Sequence, residues 1–122
     1  MTEIPPALRL AFENYERAIA TNDLAALDAA FAPGAQTMRS DQAGLLVGHE
    51  AISSFRSTRG GVPGRVIERL EYRELTPQSA VIVALSRFTG GGTGVQTQLW
   101  QLIDGTWLIT TAHVTPRAQA LD

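Results

Sequence analysis

The stretch Val95-Gln-Thr-Gln98-Leu-Trp100-Gln-Leu-Ile103-Asp104-Gly105-Thr106-Trp107-Leu-Ile-Thr-Thr-Ala-His113-Val-Thr115 decides the fold class. Two β-rich runs flank Asp104-Gly105, a dipeptide suited to the positive-φ residues of a two-residue hairpin loop. With that loop, Ile103 faces Thr106 and paired positions sum to 209. Gln96 then lies opposite His113, Gln98 opposite Thr111, Trp100 opposite Ile109 and Leu102 opposite Trp107. All eight fall on one face, grading from apolar at the Trp107 end to polar at the His113 end. An apolar floor with a few convergent polar groups is the composition of a small-molecule pocket.

Working outward, Arg65 to Glu74 and Ala80 to Phe88 also read as strands, separated by Gly and Pro punctuation. Upstream, Leu8, Phe12, Tyr15 and Ile19 recur at helical spacing after Pro5-Pro6. Asp23 is placed to cap a second helix over Leu24 to Phe31, which Pro33-Gly34 stops. A short strand at Thr37 to Arg39, a turn at Asp41 to Gly44 and a strand at Leu45 to Val47 follow. Glu50 to Arg59 reads as a third helix. Helices first and a meander afterwards is an α+β arrangement. Three N-terminal helices packed on a strongly curved antiparallel sheet would leave a cone with a hollow inside.

The 122 residues suit a single domain over 1–122, and the net charge is −2. Cysteine is absent, which excludes disulfides, thiolate metal sites and thiol nucleophiles. Lysine is absent too, so all ten basic residues are arginines and Schiff-base chemistry is excluded. With only His49 and His113 as imidazoles, no metal site and no cofactor are expected. The longest apolar run, Ala80 to Leu85, is too short to span a membrane. No basic block points to nucleic acid. Met1-Thr-Glu-Ile-Pro-Pro6 lacks the pattern of a secretion signal, so a cytoplasmic protein is expected.

Several side chains can carry chemistry, each beside a plainer role. His113 is either a hydrogen-bonded strand residue or a general acid/base facing Gln96. Tyr15 is either a core tyrosine or a phenol projecting into the hollow, a base only beside a cation. Arg39 either forms a structural ion pair or grips an anion with its planar fork. Arg56 and Arg59, one helical turn apart, form either an anion clamp or solvated salt bridges. Gln96, Gln98 and Trp100 complete the candidate binding wall. Arg65, Arg69 and Arg73 alternate along one run and read as a charged outer face. Glu13 and Glu16 read as solvent-facing, and Asp41 as a turn residue. The clusters Gly60-Gly61-Val-Pro-Gly64 and Gly90-Gly91-Gly92-Thr-Gly94 match no phosphate loop and read as connectors.

Phe12-x-x-Tyr15, Asn22-Asp23, Thr37-x-Arg39, Gly48-x-x-x-Ile52-x-x-Phe55-Arg56-x-x-Arg59, Gln96-x-Gln98-x-Trp100 and Trp107-x-x-x-x-Ala112-His113-Val114 together resemble the AtzH-like family, within the NTF2-like (SnoaL-like) cone superfamily. The resemblance implies a decarboxylating amidohydrolase acting on 1,3-dicarboxyurea to give allophanate. It places the family's site tyrosine and arginine at Tyr15 and Arg39. Under that expectation Arg39, with Arg56 or Arg59, holds a carboxylate of a small anionic substrate. Tyr15 and His113 then move a proton to the carbamate nitrogen, while Gln96 and Gln98 orient the ligand. The sequence departs from the family pattern at Asp41, Gly44 and Val95, which bears on the substrate more than on the fold. Two other roles fit the same resemblance: a non-catalytic ligand-binding or assembly module beside an amidase partner, and an isomerase or hydratase. A homodimer paired through the outer sheet face is expected.

Overall fold

The computed structural model describes residues 3–117. Three helices, α1 (Pro6–Thr21), α2 (Leu24–Ala30) and α3 (His49–Arg59), accompany six strands. These are β1 (Met38–Asp41), β2 (Gly44–Val47), β3 (Arg65–Thr76), β4 (Ser79–Phe88), β5 (Thr93–Ile103) and β6 (Thr106–Arg117).

Local chemistry sets the helix ends. Pro6 occupies the first turn of α1, where its missing N–H costs nothing. Asn22 ends the helix in the left-handed region at φ 51°, a conformation asparagine tolerates. Asp23 immediately starts α2, its Oδ1 accepting the Ala26 N–H at 3.1 Å. Leu8, Phe12, Tyr15 and Ala18 form the buried stripe of α1. That stripe belongs to one core with Leu27, Phe31, Ile52 and the sheet residues Ile82, Trp100 and Ile109. Burying each large apolar side chain stabilises the fold by about 1.5–3 kcal/mol. Across the sheet, Ala80 pairs with Trp100 and Ala84 with Gln96, so small β4 residues lie beside large β5 ones.

The sheet order is β2-β1-β6-β5-β4-β3. This corrects the expected strongly curved antiparallel sheet. The sheet is mixed, because β1 pairs with β6 in parallel, and it runs open from edge β2 to edge β3 without strong curvature. The parallel pair has a simple origin. The chain leaving α2 already lies alongside β6, with Phe31 bridged to Ile109 in parallel and the Ala32 N–H donating to the Ile109 carbonyl at 2.8 Å. Residues 38–40 continue along the same line beside residues 111–113.

Two bulges decide which side chains face the helices. Near the Asp104-Gly105 turn the expected register holds from Ile103↔Thr106 to Trp100↔Ile109. Thr110 is then an extra residue, so that Leu99 pairs with Thr111 and Gln96 with Val114. One inserted residue inverts every side chain beyond it. Ala112 turns into the core, and His113 turns out. A second register shift at Glu68 in β3 does the same to Arg65, which faces inward, while Arg69 and Arg73 pair with Leu85 and Val81. The expected common outer face of Arg65, Arg69 and Arg73 is corrected accordingly.

Candidate functional site

A cavity of about 660 Å³ lies between the helices and the inner sheet face. Four guanidiniums from three elements line it: Arg39 from β1, Arg56 and Arg59 from α3, and Arg65 from β3. Tyr15, Gln42 and Gln96 contribute the uncharged polar groups. Ile19, Leu27, Phe88 and Val114 supply apolar wall. Such a mixture suits a small molecule with one charged end.

Each arginine is held differently. Arg65 grips Glu16 with two bonds, Nε to Oε1 at 3.2 Å and Nη2 to Oε2 at 2.8 Å. Arg39 Nη1 donates to Asp41 Oδ2 at 2.9 Å. Asp41 is itself anchored, its Oδ1 accepting the Ala43 N–H at 2.8 Å in the turn between β1 and β2. Arg56 is more weakly satisfied: Nη1 lies 3.3 Å from Asp28 Oδ1, a long bond. Its guanidinium stacks 4.3 Å from the Phe31 ring centre. Among the described residues, Arg56 Nη2 is the one buried side-chain polar atom with no hydrogen-bond partner. Arg59 reaches only the Gly60 carbonyl, at 3.4 Å, and has no carboxylate partner among the described residues. Arg39 and Arg59 both lie over the Phe55 ring, at 5.1 and 5.2 Å.

Four guanidiniums therefore meet three carboxylates, Glu16, Asp28 and Asp41. The unmatched positive charge sits on α3. Burial pushes the pKa of Arg56 down, against the pull of Tyr15 and Asp28, with Arg39 adding to the depression. Burial depresses Arg59 as well, reinforced by the like charges of Arg39 and Arg56. Tyr15 moves the other way. Burial raises its pKa above that of a free phenol, although Arg56, Arg65 and Arg39 each pull it down. At neutral pH Tyr15 is a hydrogen-bond donor rather than a base.

A chain of amides runs beneath the cavity along β5. Trp100 Nε1 donates to Gln98 Oε1 at 2.8 Å, and Gln98 Nε2 donates to Gln96 Oε1 at 3.1 Å. Gln96 Nε2 donates to Glu16 Oε2 at 2.9 Å, and Arg65 Nη2 also reaches Gln96 Oε1, at 3.2 Å. The carboxylate at one end and the indole at the other dictate both amide orientations. Every buried polar atom along this line is satisfied.

The structure thus brings Tyr15, Arg39, Arg56, Arg59 and Gln96 to one cavity. Gln98 and Trp100 lie below it, buried in the amide chain. His113 does not join them. It is exposed on the opposite sheet face, with Nδ1 2.6 Å from Ser40 Oγ and Nε2 2.7 Å from Thr115 Oγ1. The Thr110 bulge is the reason. Sequence reasoning missed Arg65 and Asp41 as cavity groups, Glu16 as the partner of Arg65, and Asp28 as the partner of Arg56 and Ser53. Val62, Pro63, Gly90 and Gly91 of the glycine-rich connectors also line the cavity. A signal for the bulge did exist: the apolar positions Trp107, Ile109, Ala112 and Val114 jump phase between Ile109 and Ala112.

Among the described residues, no helix is long and apolar enough to cross a membrane. Nor do three or more His, Cys, Asp or Glu side chains group as a metal site there.

The family described as AtzH-like matches residues 1–119. A cystatin-like fold protein from Burkholderia xenovorans LB400 superposes with a TM-score of 0.86 at 29% identity, over 93% of this chain and 92% of that one. A protein of unknown function from Pectobacterium atrosepticum SCRI1043 gives 0.85 at 30% identity, over 92% and 89%. An NTF2-like protein from Shewanella oneidensis MR-1 gives 0.72 at 20% identity, over 89% and 96%, and shares the fold. No curated protein matches the chain. These matches correct the expected hydrolase. Neither the matched family nor these structures is described as a hydrolase. In the chain's own geometry the imidazole of the expected proton shuttle lies outside the cavity, so one of its two groups is missing there.

Proposed function

The chain belongs to the AtzH-like family, and on that premise we propose that it is a ligand-binding protein whose cavity takes a small carboxylate with an apolar body and does not turn it over. The single observation carrying this reading is Arg56 Nη2, a buried charged donor with nothing to donate to. Leaving such a group unsatisfied costs about 1–3 kcal/mol, so a carboxylate that fills it recovers that amount on binding. Arg59, one turn along α3 and free of any carboxylate among the described residues, supplies the second donor of a clamp. Tyr15 offers a neutral O–H to the same ligand. The apolar walls from Ile19, Leu27, Phe88 and Val114 accept its carbon skeleton.

The test uses matched pairs in which only the charge differs: benzoate with benzamide, and hexanoate with hexanamide. Calorimetric titration is expected to show binding of at least one carboxylate and none of its amide. Ligand at a hundred times its Kd then stabilises the fold by about 2.7 kcal/mol, visible as a raised melting temperature. Equal binding of acid and amide, or no binding of either acid at millimolar concentration, overturns the proposal. So does consumption of the bound acid followed by NMR.

A further inference from the structure

Of the four cavity arginines, Arg65 and Arg39 are firmly held by carboxylates of the protein, Arg56 has one long 3.3 Å bond to Asp28, and Arg59 has no carboxylate among the described residues. Glu16 reaches Arg65 from α1 through a two-bond fork. Asp41 reaches Arg39 from the last position of β1, and both residues line the cavity. Asp41 is no loose surface acid. One oxygen is fixed by the Ala43 N–H and the other by Arg39 Nη1, and the side chain is 15% exposed. Asp41 therefore occupies the place at Arg39 that a second ligand carboxylate would need. Arg39 shares the Phe55 ring with Arg59, so that place adjoins the open clamp on α3.

We infer, resting on the anion-binding reading above, that Asp41 is a built-in carboxylate that makes this cavity select monocarboxylates over dicarboxylates. A ligand with one carboxylate docks at Arg56 and Arg59 and leaves the Arg39–Asp41 pair intact. One with two must place its second charge beside Asp41, where like charges repel, or displace a carboxylate tethered to its own backbone. Intramolecular tethering gives Asp41 the advantage over a free competitor. Removing its charge frees the Arg39 fork and leaves two unmatched positive charges instead of one.

The experiment measures affinities of matched probes, benzoate against isophthalate and hexanoate against adipate, for the wild type, Asp41→Asn, Asp41→Gly and Asp41→Glu. Melting curves check that each variant is folded. The wild type is expected to favour the monocarboxylate. Asp41→Asn and Asp41→Gly are each expected to swing the ratio at least about tenfold toward the dicarboxylate, the effect of one charge-assisted contact. Asp41→Glu, which keeps a carboxylate, is expected to retain the monocarboxylate preference. Two folded variants with different side chains separate loss of charge from a local change in the turn. If the wild type favours monocarboxylates and neither neutral variant swings, the selector role is wrong and the anion-binding reading stands. A wild type that takes both classes equally also removes the selector. A wild type that binds no carboxylate at all defeats the anion-binding reading itself, and the selector with it.

Discussion

Replacing Arg56 with methionine separates a ligand-binding arginine from a structural one. Arg56 has 3% of its side chain exposed, so an ordinary expectation for removing it is severe destabilisation. Breaking a well-paired buried ion pair typically costs about 3–5 kcal/mol. Here the balance differs. Losing the unpartnered Nη2 gains about 1–3 kcal/mol. Losing the stack on Phe31 costs about 0.5–2 kcal/mol, and the unbranched thioether replaces part of it. Asp28 gives up a 3.3 Å contact but is 34% exposed and keeps its 2.7 Å bond from Ser53 Oγ, a loss of under about 1 kcal/mol. Arg56→Met is therefore expected to lie within about 1 kcal/mol of the wild type, a few degrees in melting temperature. Urea unfolding followed by the fluorescence of Trp100 and Trp107 measures this directly. The same variant is expected to lose at least about tenfold in carboxylate affinity, one charge-assisted hydrogen bond. Destabilisation beyond about 3 kcal/mol with ligand affinity retained would show that Arg56 anchors the fold, and would refute the reasoning.

Asp41 gives a pH dependence with a definite sign. Burial alone would raise its pKa, but the Arg39 bond and charge and the Ala43 and Gly44 N–H groups outweigh it and hold the carboxyl below the ordinary value of 3.8. Its contribution is thus fully present above that value and lost as the pH falls through the depressed one, so wild-type melting temperature should drop more steeply below about pH 4 than that of Asp41→Asn. Parallel acid profiles for the two proteins would contradict this. Tyr15 and Tyr72 are the two tyrosines, and burial raises both pKa values. Absorbance titration should therefore place both tyrosine midpoints above the ordinary phenol value of about 10, and Tyr15→Phe should remove one of the two components. A phenol ionising near neutrality would restore the case for a base in the cavity. His113→Ala should leave carboxylate affinity unchanged, because the ring lies across the sheet from the clamp. A loss of more than about fivefold in calorimetry, roughly 1 kcal/mol, would contradict that placement.

Local patterns were legible wherever their period ran without interruption. The stripe Leu8, Phe12, Tyr15 gave the buried face of α1, and the alternation Gln96, Gln98, Trp100 gave the inner face of β5, as the structure has them. The same arithmetic failed on β6 only past Thr110 and on β3 only past Glu68, because a bulge adds a residue without altering composition. Those two positions moved His113 out of the cavity and Arg65 into it. The strand direction of β1 was illegible for another reason: the four residues Met38-Arg39-Ser40-Asp41 carry no mark of parallel or antiparallel pairing.

From the order of residues alone came the α+β class, the helices and hairpins in their places, the absence of thiol and lysine chemistry, and a short roster of arginines and amides. All of these follow from near neighbours, through backbone preference and the periods of helix and strand. The pairing of charges came only with the tertiary structure. Glu16 meets Arg65 across 49 positions and Arg56 meets Asp28 across 28, while Arg59 is left with a lone carbonyl. Which cation stays unmatched depends on distances through space, in a medium of low polarity where a few ångströms separate a closed ion pair from an open binding site.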